Sequence, residues 1–279
     1  GYLIFTNNTL KLEGHLRRGI KKMVQILIWS TLLFAAVKFL FAFKNNDFSF
    51  LNLESLGKFI LLNENPFGFH LWYIGAYLYV LIIILFLERR NKLGYIYWAI
   101  PVFLLLDLCF CKYSLVLWHK EFPFIWVRNF ACVGLPYFTI GMLLKQQKER
   151  ILNFSHLQLL ALGGGILSSL TSLLENRLLT ELNMNSTRDH YISSTFLAVS
   201  LFTLFLSLKQ SKANAFSSLG EKDSLYIYIF HPLFITFFSV VNKFLSNIWQ
   251  DIYLYYSPFI ILMVTILFNR TLKTLHIIK

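Results

Sequence analysis

The residues of this chain with chemistry to offer are a few histidines and charged groups set in apolar surroundings. His231 lies in Tyr226-Ile-Tyr-Ile-Phe-His231-Pro232, in the middle of an apolar run. Pro232 has no N–H, so it frees a backbone carbonyl one turn earlier for another donor. A histidine in that position either fills the core or orients and deprotonates a substrate. His70 opens Phe69-His70-Leu71-Trp72-Tyr73, which reads as an interfacial aromatic belt or as the wall of a site. Asp107 and Arg128 each lie near one end of an apolar run, with a short connection between the two runs. They would meet at similar depth, as a structural ion pair or as a substrate-binding pair. Glu175 and Arg177 face Arg188 and Asp189 across one loop, either as solvated charges or as the lining of a sugar cavity. Lys38, about one turn from the end of its run, is expected to snorkel.

Several chemistries are disfavoured by their missing patterns. There is no Gly-x-Ser-x-Gly elbow, and no histidine has an aspartate four or five residues later. No His/Cys cluster has metal-ligand spacing, so no metal site is expected. Gly163-Gly164-Gly165 lacks a following Lys-Ser/Thr and reads as a close helix-packing site rather than a phosphate loop. Cys109 and Cys111 are too close to staple anything, and Cys132 lies in another apolar run.

These residues sit in a chain that needs lipid around it. Of its 279 residues 56% are hydrophobic and 14% charged, with a mean hydropathy of +0.58. A soluble domain carries about 25% charged residues. Eight apolar runs are long enough to be read as membrane spans, over residues 23–43, 69–87, 94–110, 124–144, 156–174, 192–208, 224–241 and 251–269. Barrel strands of about ten residues are much shorter, so the expected fold is all-α, a polytopic transmembrane helix bundle. Gly1-Tyr-Leu-Ile-Phe5 reads as the tail of a further, cut helix, with no signal peptide ahead of it.

The net charge is +12. The basic residues fall in short clusters between runs, which argues for membrane topology and against a nucleic-acid partner. Counted over alternate loops, seventeen Lys and Arg lie on one side and seven on the other. By the positive-inside rule the richer side, with the C-terminus, is cytoplasmic. There is no internal repeat, no low-complexity segment and no loop large enough to fold alone, so the chain reads as a single integral membrane domain over 1–279.

In order along the chain, Gly1-Tyr-Leu-Ile-Phe, Leu16-Arg17-Arg18-Gly-Ile-Lys21-Lys22, Phe69-His70-Leu71-Trp72-Tyr73-Ile74, Arg128-Asn129-Phe through Leu135-Pro136-Tyr-Phe-Thr-Ile-Gly141, and Leu219-Gly220 with Ser224-Leu-Tyr-Ile-Tyr and His231-Pro232 form a recognisable series. It resembles the acyltransferase-3 family of integral membrane O-acyltransferases. Arg18 and Lys21 match the family's Arg-x-x-Arg region, with Lys in the second place. The resemblance covers essentially the whole chain.

The resemblance implies ten helices, so that the first helix and most of the second lie ahead of Gly1, together with the family's Arg-x(10)-His motif and its principal histidine. It also implies transfer of an acyl group, usually acetyl, from cytoplasmic acyl-CoA to a hydroxyl of a cell-surface glycan or glycolipid. The location implied is the inner membrane of a bacterium. Acetyl-CoA enters as donor substrate, and no bound cofactor is expected. Arg18, Lys21 and Lys22 are the expected acyl-CoA phosphate ligands. His231 and His70 are the catalytic candidates within this chain. Trp72, Tyr73, Arg128, Glu175, Arg188 and Asp189 are the acceptor-binding candidates. Two other readings compete: a transporter or flippase of a polysaccharide precursor without covalent chemistry, against which no inverted repeat is visible, and an unrelated membrane-bound O-acyltransferase, expected to be longer.

Overall fold

A computed structural model describes residues 1–188, 190–208, 215–244 and 247–275. Among the described residues the regular structure is helical, with no strand. The chain divides into two units, Gly1–Lys209 and Gln210–Lys279.

The first unit begins with α1 (Thr9–Asn45). Asn8 caps it by accepting from Lys11 N at 3.0 Å, and Asn46 ends it in the left-handed conformation at φ 52°. A short amphipathic helix α2 (Leu53–Leu62) follows, then a 3₁₀ turn Phe69–Leu71 that runs directly into α3 (Trp72–Arg89). α1 and α3 pack as an antiparallel pair, and α3 is the most buried of the long apolar helices. Leu71, Ile74, Leu81 and Ile84 are fully buried. At one end Glu13 of α1 accepts from both Arg17 and Arg89, each at 2.8 Å. At the other, Phe34 packs edge-on against His70 with ring centroids 4.4 Å apart. Two of the basic clusters that the charge count puts on one side of the membrane therefore do meet.

The third run opens with a 3₁₀ segment, Leu93–Trp98, and continues as α4 (Ala99–Phe110). The short α5 (Ser114–Trp118) leads to a fourth run that departs from expectation. A single helix over 124–144 is not formed. A 3₁₀ turn, Phe124–Trp126, gives way to a π turn, Phe130–Gly134, before α6 (Leu135–Gln146). Asn129 causes the interruption. Its Oδ1 accepts from Ala131 N and Cys132 N, while its Nδ2 donates to Ile125 O and Trp126 O, so one side chain replaces the helical ladder on both sides. Pro136, one turn on, has no N–H to restore the ladder. After α7 (Lys148–Leu152) come α8 (Leu157–Glu181) and α9 (Ile192–Ser207), packed as an antiparallel pair. Of the three glycines expected to allow close packing, Gly164 does so: a Cβ there would come within 2.9 Å of Ser200 Oγ, whereas Gly163 faces open space.

The second unit contains α10 (Ala215–Ser218), a π turn Leu219–Asp223, α11 (Ser224–Asn242) and α12 (Asn247–Thr274), with α11 packed on α12. Phe268 takes Phe230 and Phe234 edge-on. Lys273 meets Asp223 at 2.6 Å and Asn269 donates to the same carboxylate.

Among the described residues six helices are long and apolar enough to cross a membrane: Thr9–Asn45, Phe69–Arg89, Leu93–Phe110, Leu157–Glu181, Ser224–Asn242 and Tyr255–Thr274. The two other expected spans differ in form. Ile192–Ser207 is apolar but has 16 residues, about 24 Å at the helical rise, against about 30 Å of hydrocarbon. The fourth run is the one broken at Asn129.

Candidate active site

The break at Asn129 faces a cavity of about 290 Å³ lined by Trp72, Asp107, Cys111, Phe124, Arg128, Val133, Tyr137 and His190. Irregular backbone at membrane depth survives only where it is buried in protein or lines a cavity. A π turn in such a wall re-aims the side chains that follow it. The turn is pinned from across the unit by Asn63, which is 1% exposed. Its Nδ2 donates to Trp72 O at 3.1 Å and its Oδ1 accepts from Phe130 N at 3.1 Å. One buried amide thus sets the spacing between two walls.

Asp107, on the last turn of α4, has a side chain only 2% exposed. A carboxylate inside a span needs a partner, and it has one in His190. The imidazole Nδ1 is in direct contact with Asp107 Oδ2. A carboxylate can only accept, so Nδ1 carries the proton and Nε2 is turned the other way. There Nε2 lies 2.6 Å from the Tyr137 hydroxyl and 3.3 Å from Thr195 Oγ1, and the two hydroxyls are 2.9 Å apart. Carboxylate, imidazole and hydroxyl stand in series, each from a different part of the chain: α4, the segment before α9, and α6.

His190 is held by its own loop. Lys112, buried at 2% exposure, donates from Nζ to Ser186 O at 3.0 Å and Arg188 O at 2.5 Å, and lies 4.4 Å from the Tyr191 ring centre. Ser186 Oγ donates to Cys111 O and Lys112 O, and Thr187 N to Glu121. An ammonium with three donors suits a cluster of carbonyls at a loop crossing.

Of the acceptor-binding residues expected from sequence, Trp72 and Arg128 line the cavity. The Arg128 guanidinium lies 4.9 Å from the Trp72 ring and 4.8 Å from Phe124. Trp72 Nε1 is buried without a hydrogen-bond partner among the described residues. Arg188 reaches the same wall, 4.3 Å from the Phe124 ring on the strength of a hydrogen bond to Phe122 O. Asp107 and Arg128 do line one cavity, but the direct contact of Asp107 is His190. Tyr73 points away, half exposed and stacked on Tyr77. Among the described residues, two of the charges expected to face one another across the 176–191 loop have other partners. α8 runs on to Glu181, so Arg177 pairs with Glu181 at 2.9 Å along its own helix. Glu175 accepts from Tyr113 at 2.9 Å. Burial, then the Glu175 carboxylate, pushes the Tyr113 hydroxyl up to about 12, so it stays a donor throughout the physiological range. Asp189 lies outside the described residues.

His70 is buried between Phe34 and Phe69 at the start of α3. His231 belongs to the second unit. Its Nδ1 donates to Ile227 O at 3.1 Å, the carbonyl next to Tyr228 O, the one Pro232 leaves without its helical N–H. Arg18, Lys21 and Lys22 are exposed on α1, as a phosphate site in solvent requires. A cavity of about 650 Å³ is lined in part by His15, Lys145 and Lys148, and none of Arg18, Lys21 and Lys22 lines it. Among the described residues there is no group of three or more His, Cys, Asp or Glu that could hold a metal ion.

Sequence reasoning missed His190, Tyr137, Thr195 and Lys112. His190 stands in a polar loop and Tyr137 among many tyrosines, and nothing in their spacing singles them out. The one available signal was Asp107: a carboxylate in an apolar run requires a partner, and His190 was among the few ionisable residues near the ends of neighbouring runs.

The chain matches the family model described as "Acyltransferase domain", of the acyltransferase-3 family, over residues 1–271. No curated protein and no solved structure matches it. A match over nearly the whole chain makes it a member of that family, and this supports the acyltransferase reading over the transporter.

Proposed function

From membership of the acyltransferase-3 family, we propose that this membrane protein moves an acyl group, acetyl being the usual one, from acyl-CoA to a hydroxyl of a cell-surface glycan or glycolipid, and that the cavity at Trp72, Asp107, Arg128, Tyr137 and His190 takes the acceptor. The observation that carries this reading is the Asp107–His190–Tyr137 series in the wall of an aromatic, cation-rimmed cavity. Trp72 and Phe124 offer flat faces to a sugar ring, and the unpartnered Trp72 indole N–H offers a donor to a ring hydroxyl. The Arg128 and Arg188 guanidiniums suit the oxygen-rich edge of a glycan.

The donor is assigned to the other end of the bundle. α3 has 18 residues, which puts about 26 Å between Trp72 at the cavity and Arg89 at the basic end. Arg18, Lys21 and Lys22 cluster at that basic end, where the charge count puts the cytoplasm and therefore acyl-CoA. The acyl group has to travel between the two ends, which is why a membrane protein performs the reaction. His231 and His70 are retained as secondary candidates, and the bacterial inner membrane as the location.

The test is transfer of label. Membranes from cells carrying the natural gene, given radiolabelled acetyl-CoA, are expected to place alkali-labile acetyl on envelope glycan, and membranes lacking the gene are not. Glycan that crosses the membrane without any consumption of acetyl-CoA would return the chain to the transporter reading.

A further inference from the structure

We infer that a second cavity at the same end of α3, walled by Lys38, Phe50, Glu64, Asn65, Phe67 and Phe69, is a second sugar subsite, so that the protein holds at least two sugars of its acceptor. This rests on the acceptor reading of the Trp72 cavity above and adds to it the length of acceptor required.

One stretch of chain builds both cavities. Asn63 pins the π turn of the Trp72 cavity. Residues 64–69 then wall the second cavity, of about 410 Å³, and the 3₁₀ turn Phe69–Leu71 leads directly into Trp72. Phe69 stands between the two. It lines the second cavity and is 69% exposed, while the Arg128 guanidinium, which lines the first, lies 5.9 Å from its ring centre. The first cavity, about 290 Å³, is at the lower limit for a ligand site, roughly 300–1,000 Å³. A ligand that outgrows it meets the second cavity on the far side of one phenyl ring.

The walls of the second cavity are tied to the helices around it. Lys38 Nζ donates to Pro66 O at 2.6 Å and lies 4.5 Å from the Phe50 ring centre, so the side chain expected to snorkel is instead held by a carbonyl and a ring. Asn65, 2% exposed, donates from Nδ2 to Thr31 Oγ1 at 2.6 Å and accepts at Oδ1 from Phe67 N at 3.0 Å. Phe50 and Phe67 meet edge to face with ring centres 5.8 Å apart. Across from them the Tyr79 hydroxyl of α3 donates to Ile60 O and fixes the end of α2.

The residue types select the ligand. Aromatic rings take the apolar face of a sugar. The Lys38 ammonium has three donors, of which Pro66 O uses one. Glu64 is exposed, and Lys58 beside it pairs with Glu54 at 2.6 Å, so the Glu64 carboxylate is placed to accept from sugar hydroxyls. An acyl chain would bury these charges without compensating them, and a phosphate would meet the Glu64 carboxylate. A hydroxylated ring uses the aromatic, the cationic and the anionic groups together.

The experiment gives the natural protein, in membranes with radiolabelled acetyl-CoA, the cells' own envelope glycan in three forms: cut to one sugar, cut to two, and uncut. Two sugars are expected to be acetylated with a kcat/KM about tenfold above that for one. Phe50→Ala and Glu64→Gln alter side chains that are half-exposed and exposed and that do not line the Trp72 cavity. Each is expected to raise the KM for two sugars about fivefold or more and to change transfer to one sugar by less than about twofold. Transfer to one sugar that equals transfer to two overturns the second subsite. So does a preference for two that survives both substitutions, or a loss of equal size on one sugar and two. Natural protein that places no acetyl even on the uncut glycan overturns the acyl-transfer reading instead.

Discussion

His231 and His190 are the same residue in two different situations. His231 sits in mid-helix, and its ring bonds a carbonyl of its own helix, Ile227 O, four residues away. His190 sits in a loop, and its ring bonds Asp107 and Tyr137, 83 and 53 residues away in sequence. The first is conspicuous in sequence, and its bond to Ile227 O lies within its own helix. The second is inconspicuous and is satisfied only by tertiary structure. A histidine that bonds its own backbone is oriented. One that stands between a carboxylate and a hydroxyl in a cavity wall is also supplied with a charge partner and placed within reach of an acceptor.

The sharpest way to break this comparison is the matched pair of Gln substitutions. His190→Gln is expected to cost about tenfold or more in acetyl transfer and His231→Gln about twofold or less, because a glutamine amide can keep the donation to Ile227 O but cannot keep both the Asp107 and the Tyr137 contacts. Equal losses, measured as acetyl transferred per unit of protein, would remove the distinction.

Lys112 sharpens the comparison from the side of the loop. Its ammonium ties Ser186 O and Arg188 O, so it sets where His190 falls. Lys112→Met keeps the apolar stem and leaves two buried carbonyls without their donor, at a cost of about 1–3 kcal/mol each. Acetyl transfer is expected to fall about tenfold while acetyl-CoA binding is retained. Full activity together with an unchanged unfolding temperature in detergent would show the loop to be set elsewhere.

At the basic end the groups are exposed, and smaller effects follow. Arg18 has no ion-pair or ring partner among the described residues, whereas the Lys145 ammonium already lies 5.0 Å from the Tyr2 ring centre. Arg18→Ala is therefore expected to raise the KM for acetyl-CoA several-fold, a charged contact being worth about 1.5–3 kcal/mol at most, and Lys145→Ala to raise it less. Steady-state kinetics at several salt concentrations separate the two, and equal effects would indicate unspecific surface charge. The smallest effect belongs to Gly164→Ala: the added methyl must displace Ser200, and a loss of about 1–3 kcal/mol from overpacking is expected, read as a lowered unfolding temperature with kcat unchanged. An unchanged or raised unfolding temperature would show that the α8–α9 contact gives way without cost.

Much of the fold was legible in residue types alone. Runs of apolar residues have one structural solution in lipid, since every backbone group must be satisfied within its own segment. Eight runs could therefore be placed, and each is wholly or partly helical in the structure. The family motifs could be recognised in order along the chain. The break at Asn129 could not be read, because hydropathy is blind to one amide that satisfies four backbone groups. The end of α8 was misplaced for a related reason: Glu175 and Arg177 look like loop charges, yet Arg177 and Glu181 stabilise the helix they extend.

Composition and periodicity determined that this protein is a helical membrane protein with a basic end, because burial in lipid and the distribution of Lys and Arg are sums over many residues and survive local detail. Trp72 and Arg128 were within reach too, as aromatic and cationic groups at span ends. Which carboxylate meets which histidine was decided only by tertiary structure. Asp107, Tyr137 and His190 come from three segments whose approach depends on the buried Asn63 and Lys112 side chains and on a π turn, and hydrogen bonds lose their strength within a few tenths of an ångström. Sequence spacing carries no information at that scale between segments so far apart along the chain.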